Sequence, residues 1–237
     1  MPDPKIKLLS IDVLFKQALD MYKIAFKQFF WLQLAPLLAF IPVMLFGVLL
    51  AYAIKIQAEL PIMLGLGFIT FMAFSFGLYY GIMFSMAPYM LLRNLKPDAD
   101  WKQLLFEGRP FLGKFIGVSL LYGLIIFAGL LFFIIPGIIF AVQYSFVVLL
   151  VIIENKSTDA FERSKELVRH YWWEVALRLS VPLIFSLTLS ILSDQAGKIS
   201  GLEPLNMVAF IVSLLMGPVF MIYNYAIYQD LVRIKGI

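Results

Sequence analysis

From Phe132 to Leu179 the chain reads FFIIPGIIFAVQYSFVVLLVIIENKSTDAFERSKELVRHYWWEVALRL. Three segments follow one another in it. An uncharged run reaches Ile153, and proline and glycine punctuate turns, so a hairpin is expected at Pro136-Gly137 with a helix from there to Ile153. A charged stretch follows, in which Ala160, Phe161, Ser164, Leu167, Val168 and Tyr171 recur at helical spacing. Glu162, Arg163, Lys165, Glu166 and Arg169 fill the other side, and Asp159 with Glu162 three residues on is placed to cap it. Tyr171-Trp172-Trp173 then leads into a new apolar run. The stretch therefore reads as a membrane helix, a helix lying at the membrane surface, and a return into the membrane.

The rest of the chain has the same character. Of 237 residues, 62% are hydrophobic and 14% charged, with mean hydropathy +0.92. Soluble domains are about half apolar and about a quarter charged. Phe29–Ile54 is uncharged over 26 positions, Ile62–Leu92 over 31 and Phe115–Ile153 over 39. A span needs roughly 20 residues, so these are one span, one tilted or kinked span, and two. Trp172–Ser193 and Leu205–Tyr228 make six. Pro36, Pro42, Pro88 and Gly217-Pro218 mark expected bends. No cleavable signal is evident, and the first apolar run is expected to be retained.

Two further amphipathic segments precede spans. Ser10 is placed to cap a helix whose apolar positions include Leu14, Ala18, Tyr22 and Phe29; Asp100 with Gln103 is placed to cap another, carrying Trp101, Leu104 and Leu105. Gln229–Ile237 reads as a short basic tail. Seventeen of the nineteen lysines and arginines fall in the N-terminal segment, in 93–114, in 156–178 or in this tail. The positive-inside rule then places both termini and both long loops in the cytoplasm. The expected fold class is all-α: a polytopic membrane helical bundle of six transmembrane helices with cytoplasmic interfacial amphipathic helices, forming a single integral membrane domain.

The amphipathic helices echo one another. Phe15-Lys16-Gln17 matches Trp101-Lys102-Gln103, and an offset of 146 puts Phe15 on Phe161, Asp20 on Glu166, Lys23 on Arg169, Phe26 on Trp172 and Pro36 on Pro182. A threefold organisation follows as an expectation, each unit an interfacial helix plus a two-span hairpin: 10–92, 100–153 and 158–228. The alternative is that any amphipathic helix before a span produces such matches.

Few residues can carry chemistry. Zero cysteines exclude disulfides and thiolate metal sites, and the single His170 does not make a zinc site of the usual kind. HExxH, GxSxG and P-loop signatures are missing, as are clustered intramembrane carboxylates. No catalytic, cofactor-binding or metal-binding residue is assigned, and no cofactor. Gln143, Tyr144 and Asn224 are the candidate intramembrane polar site; the alternative is helix-to-helix hydrogen bonding. Arg163, Lys165, Arg169 and Arg178 are the candidate lipid-headgroup contacts; the alternative for Arg178 is snorkelling to the interface. Glu154, at a helix end, reads as solvated or paired with Lys156 or Arg178.

Ile135-Pro136-Gly137, Tyr144, Glu154, Ala160, Ser164, Leu167 and Trp172-Trp173 together form a pattern. It resembles that of the bacterial YciC-type membrane proteins and of the related membrane domain attached to some glycerophosphodiester phosphodiesterases. Phe15 to Trp31 also resembles the family's start. The resemblance implies a six-span prokaryotic inner-membrane protein, and the phosphodiesterase activity does not carry over. The expected function is that of a non-enzymatic, lipid-facing scaffold or accessory subunit of the cytoplasmic membrane. Its expected partners are membrane lipids, and protein partners or further copies of the chain, with no nucleic acid. A transporter or flippase for a lipophilic or amphiphilic substrate is the alternative, and a membrane-embedded enzyme a third.

Overall fold

A computed structural model describes residues 7–57, 59–94, 100–155, 159–198 and 204–236. Lys156 and Pro97-Asp98-Ala99, read above as a pairing partner and a turn, lie outside them. The described residues are predominantly helical, without a strand among them, and six helical segments are long and apolar enough to cross a membrane. The chain divides into two compact units, Met1–Phe26 with Gly113–Ile237, and Lys27–Leu112.

In the second unit, α2 (Phe26–Ala39) and α3 (Ile41–Lys55) meet at Phe40. Pro42 cannot donate a helical hydrogen bond, so it sits in the first turn of α3, where that donor is unneeded. The break falls there, while Pro36 stays inside α2. α4 (Leu60–Asn94) packs along α3 and runs 35 residues through Pro88. At 1.5 Å per residue it is about 52 Å long, against roughly 30 Å of hydrocarbon. α5 (Trp101–Gly108) packs on α4 and buries Leu104 and Leu105, and Arg93 lies over the Phe111 ring at 4.5 Å. The capping box expected at its start is half made. The Asp100 carboxylate accepts from Lys102 N, but Gln103 donates to Glu107 instead of turning back.

In the first unit, α1 (Ile11–Ile24) packs along α11 (Pro204–Lys235) and buries Leu14, Ala18 and Tyr22. Ser10 stands at the N-cap position without capping; its hydroxyl faces the Asp12 carboxylate and holds that carboxyl below its ordinary value. α6 (Leu112–Phe132) and α7 (Ile134–Gln143) form the hairpin. The expected turn at Pro136-Gly137 is corrected to Phe133, which is extended at φ −159°, ψ 139°. Proline is tolerated in a first helical turn, so Pro136 lies inside α7. Gly137 is there for contact: a Cβ on it would lie 2.9 Å from Leu130 N, and one on Gly129 would lie 2.9 Å from Gly137 Cα. Tyr122 Oη donates to Ala141 O across the same pair.

The fourth span is not one helix. α7 stops at Gln143, residues 144–146 form a turn, and α8 (Val147–Ile153) resumes. α10 (Trp172–Gly197) and α11 pack along each other. The expected tail after Tyr228 is corrected too: α11 continues to Lys235 and buries Asp230 and Leu231. Most apolar side chains of the spans, such as Phe68, Phe71, Leu124, Phe127, Leu187 and Ile191, are exposed. Lipid is the solvent that suits such a surface.

Candidate functional site

α9 (Ala160–Val168) is nine residues long, too short to be stable alone. Four buried residues seat it: Ala160, Ser164, Leu167 and Val168. Ser164 does more than pack. The turn at 144–146 leaves backbone groups without helical partners, and the Ser164 hydroxyl donates to Gln143 O at 2.8 Å and accepts from Phe146 N at 3.3 Å. One hydroxyl thus satisfies both sides of the break in the span and fixes α9 across it. Asp159 makes no side-chain cap, contrary to expectation; Glu162 in the first turn suits the helix dipole instead.

The far end of α9 is built by a left-handed residue. Arg169 has φ −51°, ψ 133°, and His170 has φ +76°, a conformation usually given to glycine at a helix end. Tyr171 N closes the turn on Val168 O at 2.9 Å. Lys235 reaches from α11 and donates to the carbonyls of Glu166 and Arg169, so a cation sits where the helix exposes oxygens.

Between α9, the end of α7 and the start of α10 lies a groove of about 860 Å³. Its apolar floor is Tyr144, Phe161 and Val168, with the Tyr144 and Phe161 rings edge-on at 5.3 Å. Glu162, Lys165, Glu166 and Arg169 supply its charged wall, and Gln143, His170 and Trp172 complete it. Among the described residues, no ion pair joins the four charged side chains to one another. The Trp172 indole N–H is buried without an acceptor.

The groove brings together Gln143 and Tyr144 from the proposed polar site with Lys165 and Arg169 from the proposed headgroup contacts. The other predicted residues go elsewhere. Arg178 is 8% exposed, and each of its three guanidinium nitrogens donates to a backbone carbonyl. Nε and Nη2 donate to Leu9 O at 3.1 and 2.6 Å, Nη2 also to Leu8 O at 3.1 Å, and Nη1 to Glu174 O at 2.8 Å. The headgroup reading of Arg178 is therefore corrected. It clasps the segment leading into α1, whose Leu9 N–H donates to the buried Asp230 carboxylate at 2.7 Å. Arg163 turns toward Glu154, with Nε 3.9 Å from its carboxylate. Glu154 is not a solvated helix end: Tyr228 Oη donates to it at 2.5 Å. Asn224 lies on α11 away from the groove, its Oδ1 buried without a donor.

Asp230 was missed because it follows the last uncharged run. Its spacing from Tyr223 and Ile227, seven and three residues, continues the buried stripe and was the available signal. A second, serine-lined cleft of about 630 Å³ includes Ser186, Ser190 and Ser193 of α10 with Asn206 and Ser213 of α11. Among the described residues no group of three or more His, Asp or Glu gathers to hold a metal. No family model matches the chain, and no curated protein or solved structure matches it.

Proposed function

We propose that this chain is a non-enzymatic, multi-pass protein of a prokaryotic cytoplasmic membrane. It serves as a scaffold or accessory subunit that holds a phospholipid at its α9 groove. The observation that carries this reading is the groove itself. Cationic side chains, an unpartnered indole donor and an aromatic floor meet at the junction of a surface helix with two spans. That combination matches a headgroup phosphate above and acyl chains below. The lysine and arginine distribution supports a cytoplasmic position for α1, α9 and both termini. The resemblance to YciC-type proteins, carried by the residues from Ile135 to Trp173, supports the inner membrane.

The test is native mass spectrometry of the purified protein after delipidation and exposure to mixed phospholipid. Lys165→Ala with Arg169→Ala removes both cations from an exposed helix face and is expected to lower retained phospholipid at least about tenfold. Unchanged retention overturns the proposal.

The second reading, a transporter or flippase for an amphiphile, rests on the serine-lined cleft between α10 and α11 and on the partnerless amide oxygen of Asn224. Reconstituted vesicles with a fluorescent lipid test it. Lipid scrambling or transport that falls with Asn224→Leu favours it, and no protein-dependent movement removes it.

A further inference from the structure

The α9 groove has a charge pattern that selects among phospholipids. Glu162, Lys165, Glu166 and Arg169 stand at steps of three, one and three, so both signs alternate along one wall. Opposite charges three residues apart on a helix are close enough to pair, yet among the described residues these four do not pair with one another. The wall therefore presents two separate cations and two separate carboxylates. Lys235 adds a third cation beside this wall: its ammonium donates to the Glu166 and Arg169 carbonyls, and its charge acts on the Glu166 carboxylate. An anionic headgroup would satisfy the cations and leave Glu162 facing a like charge.

We infer that the groove's ligand is the phosphoethanolamine headgroup of a phospholipid, its phosphate on Lys165 and Arg169 and its ammonium on Glu162 and Glu166. The inference rests on the lipid-holding reading above and names its ligand class. A primary ammonium carries three N–H donors for carboxylates, whereas a quaternary ammonium has none. The buried Trp172 indole N–H, without an acceptor of its own, is the neutral donor for a phosphate or ester oxygen. The volume, about 860 Å³, falls in the range of roughly 300–1,000 Å³ that small-molecule sites occupy, enough for headgroup and glycerol. The Tyr144 and Phe161 rings of the floor then receive the first acyl carbons.

The test is competitive native mass spectrometry with equimolar ethanolamine, choline and glycerol phospholipids of the same acyl chains. The full-length protein is compared with Glu162→Gln/Glu166→Gln and Lys165→Ala/Arg169→Ala, each checked for an unchanged unfolding temperature. The ethanolamine lipid is expected to be retained about tenfold over both others. The glutamine pair should abolish that preference, with the glycerol lipid rising to match or exceed it, and the alanine pair should lose all three. If the glycerol or choline lipid is preferred by the unaltered protein and still depends on Lys165 and Arg169, the inference is overturned while lipid holding stands. If no lipid depends on Lys165 and Arg169, both fall. Soluble phosphoethanolamine is added as a competitor. Displacement of lipid at equal concentration would assign the groove to the free compound and overturn the lipid-borne ligand.

Discussion

α1 and α9 begin as the same idea in sequence and end as different objects. Each is an amphipathic helix before a span, and an offset of 146 lays Asp20 on Glu166 and Lys23 on Arg169. In α1 the pair is made: Lys23 Nζ stands 3.5 Å from the Asp20 carboxylate, because the helix runs on to Ile24 and keeps both on one face. In α9 the counterparts stay apart. The helix ends at Val168, Arg169 leaves helical geometry, and His170 turns the chain left-handed. For Glu166 and Arg169 the end of the helix falls between the two partners and separates them. The segment before α1 is also closed from both sides, by Arg178 on its carbonyls and Asp230 on an N–H. At α9 the corresponding contact is Lys235 on the Glu166 and Arg169 carbonyls, and the Lys165 and Arg169 side chains have no ion-pair partner among the described residues.

The comparison breaks most visibly at Arg178. Arg178→Ala strips the Leu8 and Leu9 carbonyls of their donors in a buried setting, and a loss of about 3 kcal/mol is expected. Thermal unfolding in detergent followed by circular dichroism measures it, and a loss under about 1 kcal/mol would dissolve the clasp. Ser164→Ala comes next. It leaves Gln143 O and Phe146 N unsatisfied at the break in the fourth span, at an expected cost of about 1–2 kcal/mol in the same assay. His170→Gly acts in the opposite direction. A left-handed residue that gains glycine's freedom is expected to stabilise by about 0.5–1 kcal/mol, while leaving the turn that opens the groove intact. Arg169→Ala is the smallest, within about 0.5 kcal/mol, because its side chain is exposed and has no protein partner among the described residues. The contrast between Arg178 and Arg169 is the point, since both read alike from sequence.

The spans were legible because water-free solvent forces long uncharged helical runs, and 39 uncharged positions admit no other reading. Their interruptions were legible only near prolines that remove a donor at a helix start, as at Pro42. Pro136-Gly137 misled by one turn, since the same dipeptide also serves a close helix crossing. The turn at 144–146 carries no proline or glycine; it exists because Ser164, about twenty residues on, satisfies it. Gln143, Tyr144, Lys165 and Arg169 were legible as polar or cationic residues out of place in a membrane segment or ranged along one wet helix face. Their convergence on one groove was not, because it depends on that turn and on His170. The fate of Arg178 was hidden for the same reason: its partners lie some 170 residues away in sequence.

Photo-crosslinking from equivalent positions on α1 and α9 separates a lipid-holding groove from a packed helix face. A benzophenone side chain replaces Phe161, in the groove, or its counterpart Phe15, which lies edge-on to Tyr223 at 6.2 Å. In native membranes a phospholipid adduct is expected at 161 that disappears with Lys165→Ala/Arg169→Ala, and at 15 only adducts indifferent to that change. Equal adducts at both positions, unaffected by loss of the two cations, would contradict a lipid-holding groove.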